Sequence, residues 1–163
     1  MKRLAATAFA LALLIIPTVA AAQGAVFVVR HAERADASAD SLLSGVGETR
    51  AIHLATILKD AGITQIFTTD RRRTVQTAAP LAAVLQLTPT ALPASDLEAL
   101  FTRLRDATPH DRVLVIGHSN TLPEILRRVG VTTSVAIGDT EYDNLFMVIP
   151  QGGSAALFVR LRY

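Results

Sequence analysis

Residues 26–33 read Val-Phe-Val-Val-Arg-His-Ala-Glu. An apolar, β-branched run stops at Arg-His, and a polar segment follows as far as Leu43. Such a run predicts a strand buried on both faces, which requires helices on both sides of a largely parallel sheet. In open α/β sheets, ligands bind at the carboxyl ends of the strands. Arg30 and His31 are therefore expected at a binding edge. The same transition recurs at residues 113–120, Val-Leu-Val-Ile-Gly-His-Ser-Asn, and puts His118 at a second strand end. Between the two lies Thr69-Asp70-Arg71-Arg72-Arg73-Thr74-Val75-Gln76-Thr77-Ala78, a basic cluster opening a helix. Two histidines and several arginines on one sheet edge suit a phosphoryl group, because a guanidinium fork holds two of its oxygens at once.

In chain order, Ala25 to Arg30 is read as the first strand and His31 to Leu43 as a loop. A helix is expected from Ser44 to Ala61, with Val46, Leu54, Ile57, Leu58 and Ala61 inward and Gly62 as its stop. Gln65 to Thr68 is a short strand. A helix from Asp70 follows, carrying Val75, Ala78, Ala79, Ala82 and Leu85 inward, with Pro80 as a candidate kink. Thr88 to Ala91 is a third short strand. Ser95-Asp96-Leu97-Glu98 forms a capping-box pattern that opens a helix to Ala107. Arg112 to Ile116 is the next strand, and Thr121 to Val129 a helix with Pro123 in its first turn. Residues 131–143 show no period and read as a loop over the site. Asn144 to Pro150 and Ala155 to Leu161 read as a hairpin turning at Gln151-Gly152-Gly153-Ser154. The expected fold is a three-layer α/β sandwich with a mostly parallel central sheet, helices on both faces and a C-terminal antiparallel hairpin.

The N-terminus is expected to lie outside this domain. Lys2 and Arg3 precede an apolar stretch from Leu4 to Val19, and Ala20-Ala21-Ala22 offers a cleavage site before Gln23. These are the marks of a secretory signal peptide over residues 1–22, leaving a domain over 23–163. The expected location is exported, periplasmic or secreted, with no stable membrane association after cleavage. Without Lys2 and Arg3, the 16 basic residues fall to 14 and match the 14 acidic ones. A neutral domain without a basic stripe argues against a nucleic-acid partner. The chain contains 0 Cys, which excludes a disulfide framework, a thiolate zinc site and a lipoprotein anchor. Oligomeric state is not legible.

Arg30-His31-Ala32-Glu33 resembles the Arg-His-Gly signature of the histidine phosphatase superfamily, the phosphoglycerate mutase-like fold. Leu43-Ser44-x-x-Gly47 looks like the segment that opens the first helix in that family. Thr69-Asp70-x-x-Arg73-Thr74-x-Gln76-Thr77-Ala78 is similar to its second motif, and Gly117-His118 to its second histidine. Four motifs in the family's order span most of residues 23–163. The resemblance implies a histidine acid phosphatase-type phosphoric monoester hydrolase, closest in length to the small bacterial members. Ala32 departs from the family's glycine. The family's general acid, a carboxylate, maps roughly onto Asp96 or Glu98; Glu33 and Asp36 also lie close to the nucleophile in sequence.

The chemistry follows from the residues as well. A neutral imidazole attacks phosphorus readily near neutral pH, so His31 is the expected nucleophile. Arg30 and Arg73 would bind the phosphoryl oxygens, with His118, if protonated, and the Ser119 N–H as further donors. No metal or cofactor is called for, and the partner is a small phosphorylated substrate. Glu98 has a plainer role as capping partner of Ser95, and Asp96 as a first-turn acid. Two rival readings stand beside this one. Gly117-His118-Ser119 has the shape of an esterase nucleophile elbow, but no His follows it, as that fold requires. A phosphate- or phospho-ligand-binding domain that lacks turnover is the alternative within the same fold. A mutase has little sequence available for a lid.

Overall fold

The structure, a computed structural model, describes residues 24–151 and 154–163. The expected signal peptide and Gln23 lie outside the described residues, as do Gly152 and Gly153 of the hairpin turn. None of the described helices is long and apolar enough to cross a membrane.

The elements are β1 (Ala25–Arg30), α1 (Gly45–Leu58), β2 (Gln65–Thr69), α2 (Arg72–Leu85), β3 (Thr90–Leu92), α3 (Leu97–Asp106), β4 (Arg112–Gly117), α4 (Leu122–Arg128), β5 (Asn144–Gln151) and β6 (Ser154–Arg162). They form one six-stranded sheet in the order β3-β2-β4-β1-β5-β6. The first four strands in that order run parallel, and β5 and β6 are antiparallel. The expected three-layer α/β architecture is the observed one.

Strand β1 is buried along its whole length, and its side chains alternate between two cores, as the pleat requires. Phe27 and Val29 join Ile66, Leu114, Ile116 and Leu145 under Leu54 and Leu58 of α1 and Leu81 of α2. Val26 and Val28 join Phe67, Val113, Val115 and Phe146 under Leu100 and Phe101 of α3 and Leu122, Ile125 and Leu126 of α4. An unbroken apolar run in β1 and β4 is the consequence of that double coverage.

The helices depart from the expected pattern in instructive ways. In α1 the buried row is Gly47, Ala51, Leu54, Ala55 and Leu58, whereas Val46 and Ile57, expected inside, are 64% and 49% exposed. The helix is rotated so that Gly47 faces inward, where any Cβ would run into the carbonyl of Glu33. Ser44 caps α1 by accepting from Gly47 N at 3.1 Å, and Gly62 takes the left-handed conformation just past its end at φ +69°. In α2, Val75 and Ala79 face solvent, while Thr74 and Thr77 are buried with Ala78, Leu81 and Ala82. The two threonines hold inward positions because their hydroxyls bond the main chain around the site. The helix runs unbroken through Pro80. The capping box is corrected too: Asp96, not Ser95, caps α3, accepting from Ala99 N at 3.0 Å. Glu98 turns away from the cap and pairs with Arg128 at 3.0 Å.

Candidate active site

Parallel pairing of β1 with β4 sets Arg30 against Gly117 in register. The next residue of each strand is a histidine, so His31 and His118 emerge side by side at the carboxyl edge. Their rings meet edge to face with centroids 5.2 Å apart. The pairing continues one step beyond the strands, with His31 N donating to Gly117 O at 3.0 Å. Residues 87 positions apart thus form one cluster because two strands share a register.

His31 is buried at 4% exposure. Its Nδ1 lies 2.8 Å from Ala32 O; a carbonyl only accepts, so Nδ1 carries the proton and Nε2 keeps its lone pair. The Ala32 N–H, in turn, donates to Thr77 Oγ1 at 3.0 Å, and the Thr77 hydroxyl donates to Arg73 O at 2.7 Å. Gln76 Oε1 accepts from Leu43 N at 2.9 Å and ties the far end of the same loop to α2. Burial pushes the His31 pKa down to about 3, helped by the charges of Arg73 and Arg30 and outweighing the Ala32 hydrogen bond, which favours the charged ring. The imidazole is therefore neutral at ordinary pH.

His118 is neutral as well. Burial, then the neighbouring Arg73, lowers its pKa to about 4. Arg73 Nη2 lies 3.4 Å from its Nδ1, while its Nε2 is 3.0 Å from Thr69 Oγ1. An arginine can only donate, so Nδ1 faces it with a lone pair and Nε2–H donates to Thr69. The Thr69 hydroxyl passes the chain to Thr74 Oγ1 at 2.9 Å, and Thr74 donates to Arg71 O at 2.7 Å. The expected protonated donor is a neutral ring in this state.

Arg30 and Arg73 frame the pair. Each is fastened by one end of its guanidinium. Arg73 Nη1 donates to Ala39 O at 2.8 Å. Arg30 Nη1 donates to Gly138 O, Asp139 O and Glu141 O at 3.0, 2.8 and 3.2 Å. The Nε of both is buried without a hydrogen-bond partner. Burial lowers the pKa of both, and the charge of Arg34 beside them adds to the effect. Among the described residues, neither has a carboxylate within ion-pair distance, unlike Arg50, Arg127, Arg128, Arg160 and Arg162. Unpaired buried donors beside unneutralised cations make a site whose energy falls when an anion enters. Asp40 connects the rim to α2 by accepting from Arg72 N at 2.9 Å, and Arg71 lies 3.8 Å from Asp70.

The carboxylates singled out in the sequence are engaged elsewhere. Glu33 takes Arg50 through both oxygens at 2.7–2.9 Å. Burial works to raise its pKa, but the Arg50 hydrogen bonds and charge win and hold it below the usual carboxylate value. Asp96 caps α3 and Glu98 holds Arg128. Asp36 accepts from Ser38 N at 2.8 Å within its own loop. Asp96 also lines a pocket of about 20 Å³, with Thr69, Leu92, Leu97, Gly117 and Thr121. That is room for about one water, and neither His31 nor His118 lines it. Ser119 falls in a turn before α4, which starts at Leu122; its N–H makes no hydrogen bond among the described residues.

Sequence reasoning missed Thr69 as the partner of His118, Arg50 as the group that occupies Glu33, and the contribution of Tyr142. Residues 141–143 fall in the aperiodic stretch before β5, and nothing in their spacing singles out Tyr142. In space, the Tyr142 ring covers the Arg30 guanidinium, 3.9 Å from Cζ to centroid, and lies 5.9 Å from the His31 ring. Among the described residues, no three His, Asp or Glu side chains are grouped to hold a metal ion.

Residues 26–96 match the model of the histidine phosphatase superfamily (branch 1). The matched span carries Arg30, His31 and Arg73, and His118 lies beyond it. Known structures share the fold over 85% of this chain. A protein histidine phosphatase, SixA, complexed with tungstate superposes with TM-score 0.66 at 21% identity, over 96% of its own length. A structure described as mycobacterial hydrolase 1 superposes with TM-score 0.69 at 14% identity, over 98% of its length. A mycobacterial glucosyl-3-phosphoglycerate phosphatase with inorganic phosphate gives 0.66 at 14%, over 96% of its length. No curated protein matches the sequence.

Proposed function

We propose that this protein is a phosphatase that hydrolyses a phosphomonoester or phosphoramidate through a phosphohistidine on His31, without a metal ion. The observation that carries the reading is the His31 tautomer. Nδ1–H is committed to Ala32 O, which leaves the Nε2 lone pair beside two arginines with unpaired buried donors. In the first step Nε2 attacks phosphorus as the bond to the leaving oxygen or nitrogen breaks. In the second, water attacks the phosphohistidine, the P–N bond breaks, Nε2 regains its lone pair and phosphate leaves with the proton balance made up by water. Arg30 and Arg73 neutralise charge on the non-bridging oxygens in both steps, the part a metal plays in other phosphoryl-transfer sites. The charge of a bound phosphoryl group favours protonation of His118, which then donates to it.

Glu33, Asp96 and Glu98 each have a structural partner, which favours leaving groups that need little protonation, such as aryl or imidazole. It also favours the second reading, a phospho-ligand-binding domain of the same fold. Tungstate and inorganic phosphate are bound by two of the similar structures, and both are apt probes here. We propose export as well, on the pattern of residues 1–22; it predicts a mature N-terminus at Gln23, checked by N-terminal sequencing of protein recovered outside the cytoplasm.

The deciding experiment is hydrolysis of an aryl phosphate in EDTA, with His31→Ala alongside. Turnover that survives EDTA and disappears in the variant supports the mechanism. Undiminished turnover in the variant excludes His31 as nucleophile. Phosphate binding without turnover selects the binding-domain reading.

A further inference from the structure

The segment before β5 does more than border the mouth. Arg30 is 6% exposed, yet among the described residues nothing on β1 or its sheet neighbours hydrogen-bonds its guanidinium. Its fastening comes from residues 108 to 111 positions later in the chain: the carbonyls of Gly138, Asp139 and Glu141 all accept from Nη1. Those carbonyls converge because the turn is itself braced. Glu141 N donates to Gly138 O at 3.0 Å, and Glu141 Oε2 accepts from Gly138 N at 2.9 Å. Glu141 is held from β6 by Arg160 at 3.5 Å and Arg162 at 2.9 Å. Asp143 holds Arg162 a second time, at 2.6 Å.

The carbonyls fix one nitrogen, about which the planar fork could still swing. The Tyr142 ring removes that freedom by lying against the plane, 3.9 Å from Cζ. An aromatic face attracts a guanidinium most strongly where water is excluded. With Nη1 occupied and one face covered, the Nε–Nη2 edge is the only side of the fork left for two oxygens. Nε is the buried, unpaired atom expected on that edge.

We propose that Tyr142 is a positioning residue for Arg30, holding the guanidinium so that its Nε–Nη2 edge is presented to the phosphoryl group before substrate arrives. The inference rests on the phosphatase reading above. The ring, not the hydroxyl, performs the task. Tyr142→Phe should therefore behave as the parent does, and Tyr142→Ala should bind phosphate roughly ten-fold more weakly, between the worth of an exposed and of a desolvated cation–π contact, since Tyr142 is half-buried.

The test has two parts. Calorimetric titration with inorganic phosphate compares the parent, Tyr142→Phe and Tyr142→Ala. Weakening confined to the alanine variant supports the proposal; equal binding by all three, or equal weakening of Phe and Ala, overturns it. A parent that neither binds phosphate nor turns over an aryl phosphate overturns the underlying reading, and the proposal with it. The second part separates positioning from general loosening of the fold. Millimolar guanidinium added to Arg30→Ala should restore turnover when Tyr142 is present and fail to do so in Arg30→Ala/Tyr142→Ala. Equal restoration in both overturns the role of the ring.

Discussion

Lowering the pH from about 7.5 to about 5 should cost this fold on the order of 4 kcal/mol, almost all of it through two side chains. His31 and His118 have pKa values of about 3 and about 4 in the folded state, against 6.5 for a free imidazole. The unfolded chain therefore binds protons that the folded chain refuses, and stability rises with pH between those limits. At pH 5 both folded-state rings are still neutral, so the magnitude depends on the unfolded value alone. Each imidazole lies about 1.5 pH units below its unfolded pKa, worth about 2 kcal/mol at 1.36 kcal/mol per unit, or about 4 for the pair. Carboxylates do not blur the window. Glu33 and Asp111 have depressed folded values, so their contributions are present above their unfolded values of 4.5 and 3.8 and fade only at lower pH. Against a typical total of about 5–15 kcal/mol, the loss is large. Urea unfolding at the two pH values, extrapolated to water, measures it directly. In His31→Gln the drop should halve, and in His31→Gln/His118→Gln it should nearly vanish. A parent drop below about 1 kcal/mol, or the full drop surviving in the double variant, would show that the rings are not held neutral by burial.

Two further outcomes follow from the same contacts. Thr77→Val strands the buried Ala32 N–H and should destabilise by about 1–3 kcal/mol, with turnover reduced because the His31 turn loses its tie to α2; Thr77→Ser should recover most of both, measured by urea unfolding and aryl phosphate hydrolysis. Glu33→Gln breaks a two-oxygen grip between half-buried partners at 2.7–2.9 Å and should cost about 1–3 kcal/mol. Since Glu33 is engaged by Arg50, the leaving-group dependence of turnover should be unchanged in Glu33→Gln; a loss confined to poor leaving groups would make it the general acid.

Local pattern carried much of this protein. The unbroken apolar runs ending in Arg30-His31 and Gly117-His118 specified strands covered on both faces, with charged and polar side chains gathered at their carboxyl ends, because a doubly buried strand has no polar side to alternate with. Arg73, Thr77 and Gln76 were legible as a motif on one helix, and the Ser44 cap as an isolated local signal. Tertiary contact decided what periodicity cannot encode. Val46, Ile57 and Val75 are apolar at helical spacing, yet they face water, since α1 turns Gly47 toward the Glu33 carbonyl and α2 turns its threonines toward the site. The state of each titratable group depended on its neighbours: Glu33 became an ion-pair partner once Arg50 arrived, and burial made His118 a neutral ring. Above all, Tyr142 and the carbonyls around Arg30 come from an aperiodic stretch more than a hundred residues downstream. A loop has no repeat to read, and only the packing of β5 beside β1 brings that stretch to the strand end it serves.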